Sequence, residues 1–285
     1  MSRHHVTLDV VGPWSLETSR TFWKGFLPAA LPPGEQQDTS ISTVFRVDAD
    51  WSAASAVVHQ QGTRAAIVVT GDGDLDAAAA QVARFLSLDI DGTAWPDVAD
   101  RDPVIRRAQA ELPGLRPCGF HSPYEAAAWA VLSQRIRIRQ AAVLRAGVIE
   151  RHGDGGAFPS PARLRGLDLD LPGRKTEYLH AVAEAALDGR LDGAALRDAD
   201  PDTAARDLLS IKGIGPFAAE LVVLRGANHP DGVPHHEGRL EAEVEEQYGP
   251  GRTVDEVSEN WRPFRTWAAV HLRALREQRT GEIFG

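Results

Sequence analysis

Strand signals run through the first hundred residues of this sequence and then stop. Ser42-Thr43-Val44-Phe45-Arg46-Val47 and Ala65-Ala66-Ile67-Val68-Val69-Thr70 are rich in β-branched residues, and Gly71-Asp72-Gly73-Asp74 supplies turn formers. Leu75 to Leu88 then sets Leu75, Ala79, Val82, Phe85 and Leu86 near the helical period, and Asp89-Ile90-Asp91-Gly92 ends that run. From about residue 101 onward the segments are helical, punctuated by Pro and Gly. The pattern predicts an α+β chain: a small mixed α/β domain over residues 1–110, then an all-helical body over residues 111–285.

A chain of 285 residues with 43% hydrophobic side chains can bury its core without disulfide staples. Cys118 is the only cysteine, which excludes an internal disulfide and a multi-cysteine zinc site. It reads as a buried small hydrophobe rather than a nucleophile. No apolar run approaches the roughly 20 residues that span a bilayer. The opening MSRHHVTLDVVGPW has no apolar stretch followed by a cleavage site, so a cytoplasmic protein is expected.

The net charge of -9 argues against a polyanionic partner only as an average. Residues 130–176 carry nine basic side chains against four acidic ones, while residues 237–259 carry eight acidic against two basic. Arg135, Arg137 and Arg139 head the basic stretch.

In the helical half, Ser122, Pro123 and Glu125 spell a helix start, and a single long helix is predicted from Pro123 to Glu150. His152-Gly153-Asp154-Gly155-Gly156 breaks it. Further helices are predicted over 174–188, 202–209, 216–225, 238–248 and 253–279, with Trp261 and Trp267 in the core.

Between the helices at 202–209 and 216–225 lies Leu209-Ser210-Ile211-Lys212-Gly213-Ile214-Gly215-Pro216. Its glycines permit a tight turn and close approach of a partner. Pro216 fits the first turn of the next helix. The N–H groups of Ile214 and Gly215 at that helix start could face an anion such as phosphate. An ordinary helix-turn-helix connection explains the same triplet, and both readings stay open.

Beyond the triplet, Ile211-Lys212-Gly213-Ile214-Gly215 resembles the helix-hairpin-helix of the HhH-GPD superfamily of DNA base-excision glycosylases. Four further segments match the bacterial DNA-3-methyladenine glycosylase II branch in consistent order across residues 113–279. They are Tyr124-Glu125-Ala126 through Ser133-Gln134, Ala157-Phe158-Pro159-Ser160-Pro161, Leu224-Arg225-Gly226, and Asn260-Trp261-Arg262-Pro263-Phe264 with Arg265-Thr266-Trp267-Ala268. The resemblance implies that Lys212, Gly213, Ile214, Gly215, Gln134, Arg135 and Arg137 meet double-stranded DNA holding a damaged base. Arg135 stands where the family inserts a side chain into the base stack. A monomer is expected, with no cofactor beyond a possible monovalent cation at the hairpin.

The family carries a catalytic aspartate after the hairpin. Counting from Gly213 without gaps puts Glu237 there; aligning on Pro234 instead selects His236. Register and the retained carboxylate favour Glu237, because cleaving an N-glycosidic bond builds positive charge on the sugar that a carboxylate stabilises. A helix-capping acid without chemistry is the plain alternative. The stretch after the hairpin holds no lysine, which the resemblance ties to a monofunctional enzyme without lyase activity. Phe217, Leu221 and Arg273 stand at base-pocket positions, two of them without the aromatic ring the family often has there. His235-His236-Glu237 lacks the i, i+4 spacing of a helical zinc motif, so no metal is expected. Two readings compete with removal of alkylated bases: a DNA-binding protein on the same scaffold, and an interaction module without nucleic acid.

Overall fold

The computed structural model describes residues 1–26 and 39–281. Four strands, β1 (Ser2–Asp9), β2 (Ser40–Arg46), β3 (Ala53–Gln61) and β4 (Arg64–Gly71), form a wholly antiparallel sheet in the order β1-β4-β3-β2. The two strands read from the sequence are β2 and β4. β1 and β3 lie in His-, Gln- and Ala-containing runs with a weaker strand signature, and pairing with their neighbours supplies what intrinsic preference does not. Along β4 buried and half-exposed residues alternate, so one face, with Ala65, Ile67 and Val69, enters the core. Helices α1 (Leu16–Lys24) and α2 (Leu75–Phe85) cover that face with Trp23, Val82 and Phe85.

Helices α3 (Trp95–Arg101) and α4 (Pro103–Glu111) follow. They pack with α12 (Gly238–Tyr248), α13 (Val254–Ser258) and α14 (Arg265–Thr280) around Trp95, Trp261 and Trp267. Another core gathers around α5 (Pro123–Leu132), whose ten residues are all buried, with α6 (Ile138–His152), α7 (Pro161–Leu164) and α8 (Lys175–Leu187). α9 (Gly193–Asp198), α10 (Pro201–Leu208) and α11 (Pro216–Leu221) complete that group. α11 runs on as one π-helical turn over Val222–Gly226. Cys118 is buried against the sheet side, and burial pushes its thiol up to about 12.

Two predicted helices are broken. The long one from Pro123 starts as expected, with Ser122 accepting the Glu125 N–H at 3.2 Å, but ends at Leu132. Arg135 then takes φ +57°, outside the helical region. The buried Lys175 ammonium donates to the carbonyls of Val131 (3.0 Å) and Gln134 (2.8 Å), capping the helix end with charge. No local sequence pattern announces a cap supplied from forty residues away. The C-terminal helix is interrupted between α13 and α14 at Arg262-Pro263, where proline lacks a donor and restricts the residue before it.

The sheet docks on the helical body through charged side chains. Thr43 Oγ1 on β2 lies 2.8 Å from His121 Nε2, and His121 Nδ1 lies 3.4 Å from Glu125 Oε2. Arg145 donates to the same Glu125 oxygen at 2.7 Å. Burial alone would raise the Glu125 pKa, but His121 and Arg145 outweigh it and hold the carboxyl at about 2.

Candidate functional site

The hairpin joins α10 to α11. Gly213 has φ +91°, and a Cβ there would overlap the Tyr178 ring, so both backbone and packing require glycine. Ile211 and Ile214 are buried and fasten the turn to the core. Gln134 reaches across and donates from Nε2 to the Gly213 carbonyl at 2.7 Å. The Ile214 N–H turns inward to the Ile211 carbonyl at 3.0 Å. Of the two N–H groups expected to meet an anion, Ile214 is thus engaged within the turn, and Gly215 alone has no partner among the described residues. Gly215 is extended, at φ -99° and ψ -179°, with open space around it.

Lys212 pairs with Glu177, which also accepts two hydrogen bonds from Arg174 at 2.6 and 2.9 Å. All three groups are solvent-exposed, so the pairing is weak and exchangeable. Arg135 and Arg137 are exposed in the segment between α5 and α6, close in sequence to Gln134. A left-handed conformation on a non-glycine residue is uncommon and collects at working sites, and Arg135 has it.

A second feature lies further along α11. Phe217, Leu221 and Arg225 from that helix face Val270 and Arg273 from α14, and Glu237 closes the cleft. The cavity is small, about 70 Å³, below the range of pockets that enclose a whole ligand. Such a cleft grips an edge. Glu237 is the N-cap of α12: its carboxylate accepts the Arg239 N–H at 3.1 Å, and Arg273 Nε lies 3.9 Å from the same oxygen. His236 turns the other way. Its N–H and Nδ1 both meet Glu220, at 3.0 and 2.6 Å, and it lines a separate groove of about 300 Å³ between α10 and α11. His235 likewise faces that groove, with Nδ1 2.7 Å from Asp255. Among the described residues no cluster of His, Cys, Asp and Glu could hold a metal ion.

Sequence and structure comparisons bear on this arrangement. No family model matches the chain. It is 29% identical over 267 residues to the Mycobacterium tuberculosis "Probable bifunctional transcriptional activator/DNA repair enzyme AlkA", an alignment covering 87% of this chain and 53% of that one. It is 27% identical over 207 residues to the Bacillus subtilis "DNA-3-methyladenine glycosylase", covering 66% and 68% of the two chains. The 3-methyladenine DNA-glycosylase of Archaeoglobus fulgidus superposes with a TM-score of 0.71 at 20% identity, covering 97% of this chain and 99% of the other. The chain is similar in sequence to DNA-3-methyladenine glycosylases and shares their fold. It spans about half the length of the Mycobacterium tuberculosis relatives it matches.

The fold is the expected one, an N-terminal sheet domain followed by a helical body like that of the glycosylases. Phe217, Leu221, Arg273 and Glu237, chosen from separate stretches of sequence, line one cleft. Gln134 and Gly213 form a second group along the hairpin, with Arg135 next to Gln134 in sequence. Sequence reasoning passed over two residues. Arg225 sits inside the Leu224-Arg225-Gly226 match, yet its role needs the fold: it donates to the Cys118 carbonyl at 2.7 Å, lies 4.8 Å from the Phe26 ring centre, and leaves Nε buried without a partner among the described residues. Burial pushes its pKa down to about 10. Glu220 had no distinguishing signal among so many acids, but it is the group that holds the His236 backbone.

Proposed function

We propose that this protein is a monofunctional DNA N-glycosylase of base-excision repair that removes alkylated bases from duplex DNA. One observation carries the reading: α11 begins at a hairpin whose Gly215 N–H has no partner among the described residues, and it continues as one wall of a cleft that Glu237 closes. The phosphate anchor and one wall of the cleft therefore share one element, and the carboxylate faces that wall from the start of α12. A base turned out of the stack would meet Phe217 and Leu221, while Arg135 fills the gap it leaves. Glu237, on the sugar side, stabilises the positive charge that grows as the N-glycosidic bond breaks and orients the attacking water. Pro216–Leu221 offers no lysine to attack the sugar, so water is the nucleophile. The protein would act as a monomer on chromosomal DNA in the cytoplasm.

The test is release of free bases from alkylated genomic DNA, followed by mass spectrometry, with Glu237→Gln as the control. Retained DNA affinity with excision lost supports the assignment; excision that survives Glu237→Gln removes Glu237 from the chemistry. A second reading, DNA binding without excision, is favoured by the hydrogen bond that Glu237 already makes as a helix cap. No base released by the wild type from any alkylated substrate would favour it.

A further inference from the structure

Glu237 sits at the seam between a loop and α12, so its carboxylate goes where the last loop residue puts it. Downstream the helix holds it, with the Leu240 N–H donating to the Glu237 carbonyl at 2.8 Å. Upstream the loop is fastened early. Asp231 accepts the Arg265 N–H and Nε at 3.1 and 2.8 Å, and Thr266 exchanges two bonds with Gly232 at 3.0 and 3.1 Å. Those bonds tie the loop to α14. The fastening next to Glu237 comes instead from α11.

Glu220 Oε2 accepts the His236 N–H at 3.0 Å, and Glu220 Oε1 lies 2.6 Å from His236 Nδ1. A carboxylate has two accepting oxygens, and here they hold one residue at two points, backbone and ring. A residue gripped in that way cannot pivot about its own Cα. The Glu220 side chain is 11% exposed and that of His236 52%, so the buried partner anchors the exposed one. Glu220 lies three residues after Phe217, the spacing that shares a helix face, and both line the cleft that Glu237 closes.

We infer that Glu220 is a positioning residue: by clamping His236 it sets where the Glu237 carboxylate stands in the cleft. This rests on the proposed base-excision reading, with Glu237 at the sugar. Misplacement of a reacting group by about 1 Å can cost about a hundredfold in rate. The clamp needs reach and two hydrogen-bonding atoms, and the charge of Glu220 is not itself spent on the bond that breaks.

The experiment separates reach from charge. Single-turnover base release from an alkylated duplex, duplex affinity, and amide hydrogen exchange over residues 236–240 are measured for each variant. Glu220→Ala should lower release at least tenfold, keep affinity within threefold, and speed exchange at least fivefold. Glu220→Gln keeps the reach, with an oxygen for the His236 N–H and a nitrogen for Nδ1 of the neutral ring, and should stay within threefold of wild type in release. Glu220→Asp keeps the charge and loses the reach, so it should resemble Glu220→Ala and replaces it if circular dichroism shows that the alanine variant does not fold. In a Glu237→Gln background the loss of Glu220 should cost less than threefold further, because the two residues act as one unit. Equal loss in Glu220→Gln and Glu220→Ala would overturn the inference, since charge would then be what matters. A full tenfold loss on top of Glu237→Gln, or unchanged exchange over residues 236–240, overturns it as well. No release by the wild type removes the excision reading by itself, and the exchange measurement then decides the clamp alone.

Discussion

Replacing Gly215 by aspartate should weaken DNA binding without unfolding the protein. Gly215 is extended, a conformation any residue adopts, and a side chain there meets open space. The substitution therefore changes charge at the hairpin and nothing in the core. On the proposed reading a phosphate lies against the Gly215 N–H, which brings the new carboxylate within about 5 Å of it. Two unit charges at that distance repel by roughly 0.8 kcal/mol in bulk water and by about 3 kcal/mol at the effective dielectric of a protein surface. A loss near 1.4 kcal/mol, tenfold in affinity, is the conservative expectation. Gly215→Ala adds the Cβ without the charge and should stay within threefold of wild type. Fluorescence anisotropy on a fluorescein-labelled duplex at 0.1 M salt, where charges interact over about 10 Å, reads both variants. Higher salt should narrow their difference. A folded Gly215→Asp protein that binds as the wild type does would show that the hairpin is an ordinary connection.

The neighbouring glycine should behave in the opposite way: Gly213→Ala forces a Cβ into the Tyr178 ring at positive φ, so thermal unfolding should show about 2–4 kcal/mol of lost stability. Arg135→Gly removes a strained side chain at φ +57° and should leave stability equal or up to about 1 kcal/mol higher, while base release falls at least tenfold; faster release by the variant would dismiss the wedge role. Glu237→Asp shortens the carboxylate to the family residue, and because the loop is built around a capping bond to the longer side chain, single-turnover release should drop; a rise would mean that the cleft keeps aspartate geometry. Glu125, held at about 2 against an unfolded value near 4.3, contributes stability that is present above pH 4.3 and fades as pH falls toward 2, roughly 3 kcal/mol in all. The melting-temperature gap between wild type and Glu125→Gln should therefore narrow by about half on going from pH 6 to pH 3, and a constant gap would rule out that pairing.

How much of this was legible beforehand depended on whether the deciding interaction was local. The hairpin was visible because Gly213, Gly215 and Pro216 each answer a backbone requirement within a few residues. The cleft residues Phe217, Leu221, Glu237 and Arg273 were reachable through register, since a motif fixes where the next helix begins. The break after Leu132 was hidden because Lys175, far along the chain, caps the helix. The inward turn of the Ile214 N–H was hidden too, since it depends on the exact path from Ile211. Arg225 looked like one more cation in an arginine-rich chain until the fold surrounded it with Phe22, Phe26 and a carbonyl. Composition was the least informative guide, because a net charge of -9 says nothing about where the exposed arginines gather.

The contacts of α8 set a fixed gauge. Lys175 grips the chain where it leaves α5, Tyr178 backs Gly213, and Glu177 meets Lys212, all from the first turn of one helix. Gln134 closes the loop by bonding the Gly213 carbonyl. The hairpin and Arg135 are therefore mounted on a common jig, and their separation cannot drift without unseating several contacts, the buried Lys175 bond among them. On the proposed reading, a duplex that touches both must take up the mismatch itself. Pliant steps, already loosened by a damaged or poorly stacked base, do this at the least cost. A stiff mount would in that way turn the mechanical softness of a lesion into a signal, before any atom of the base is read.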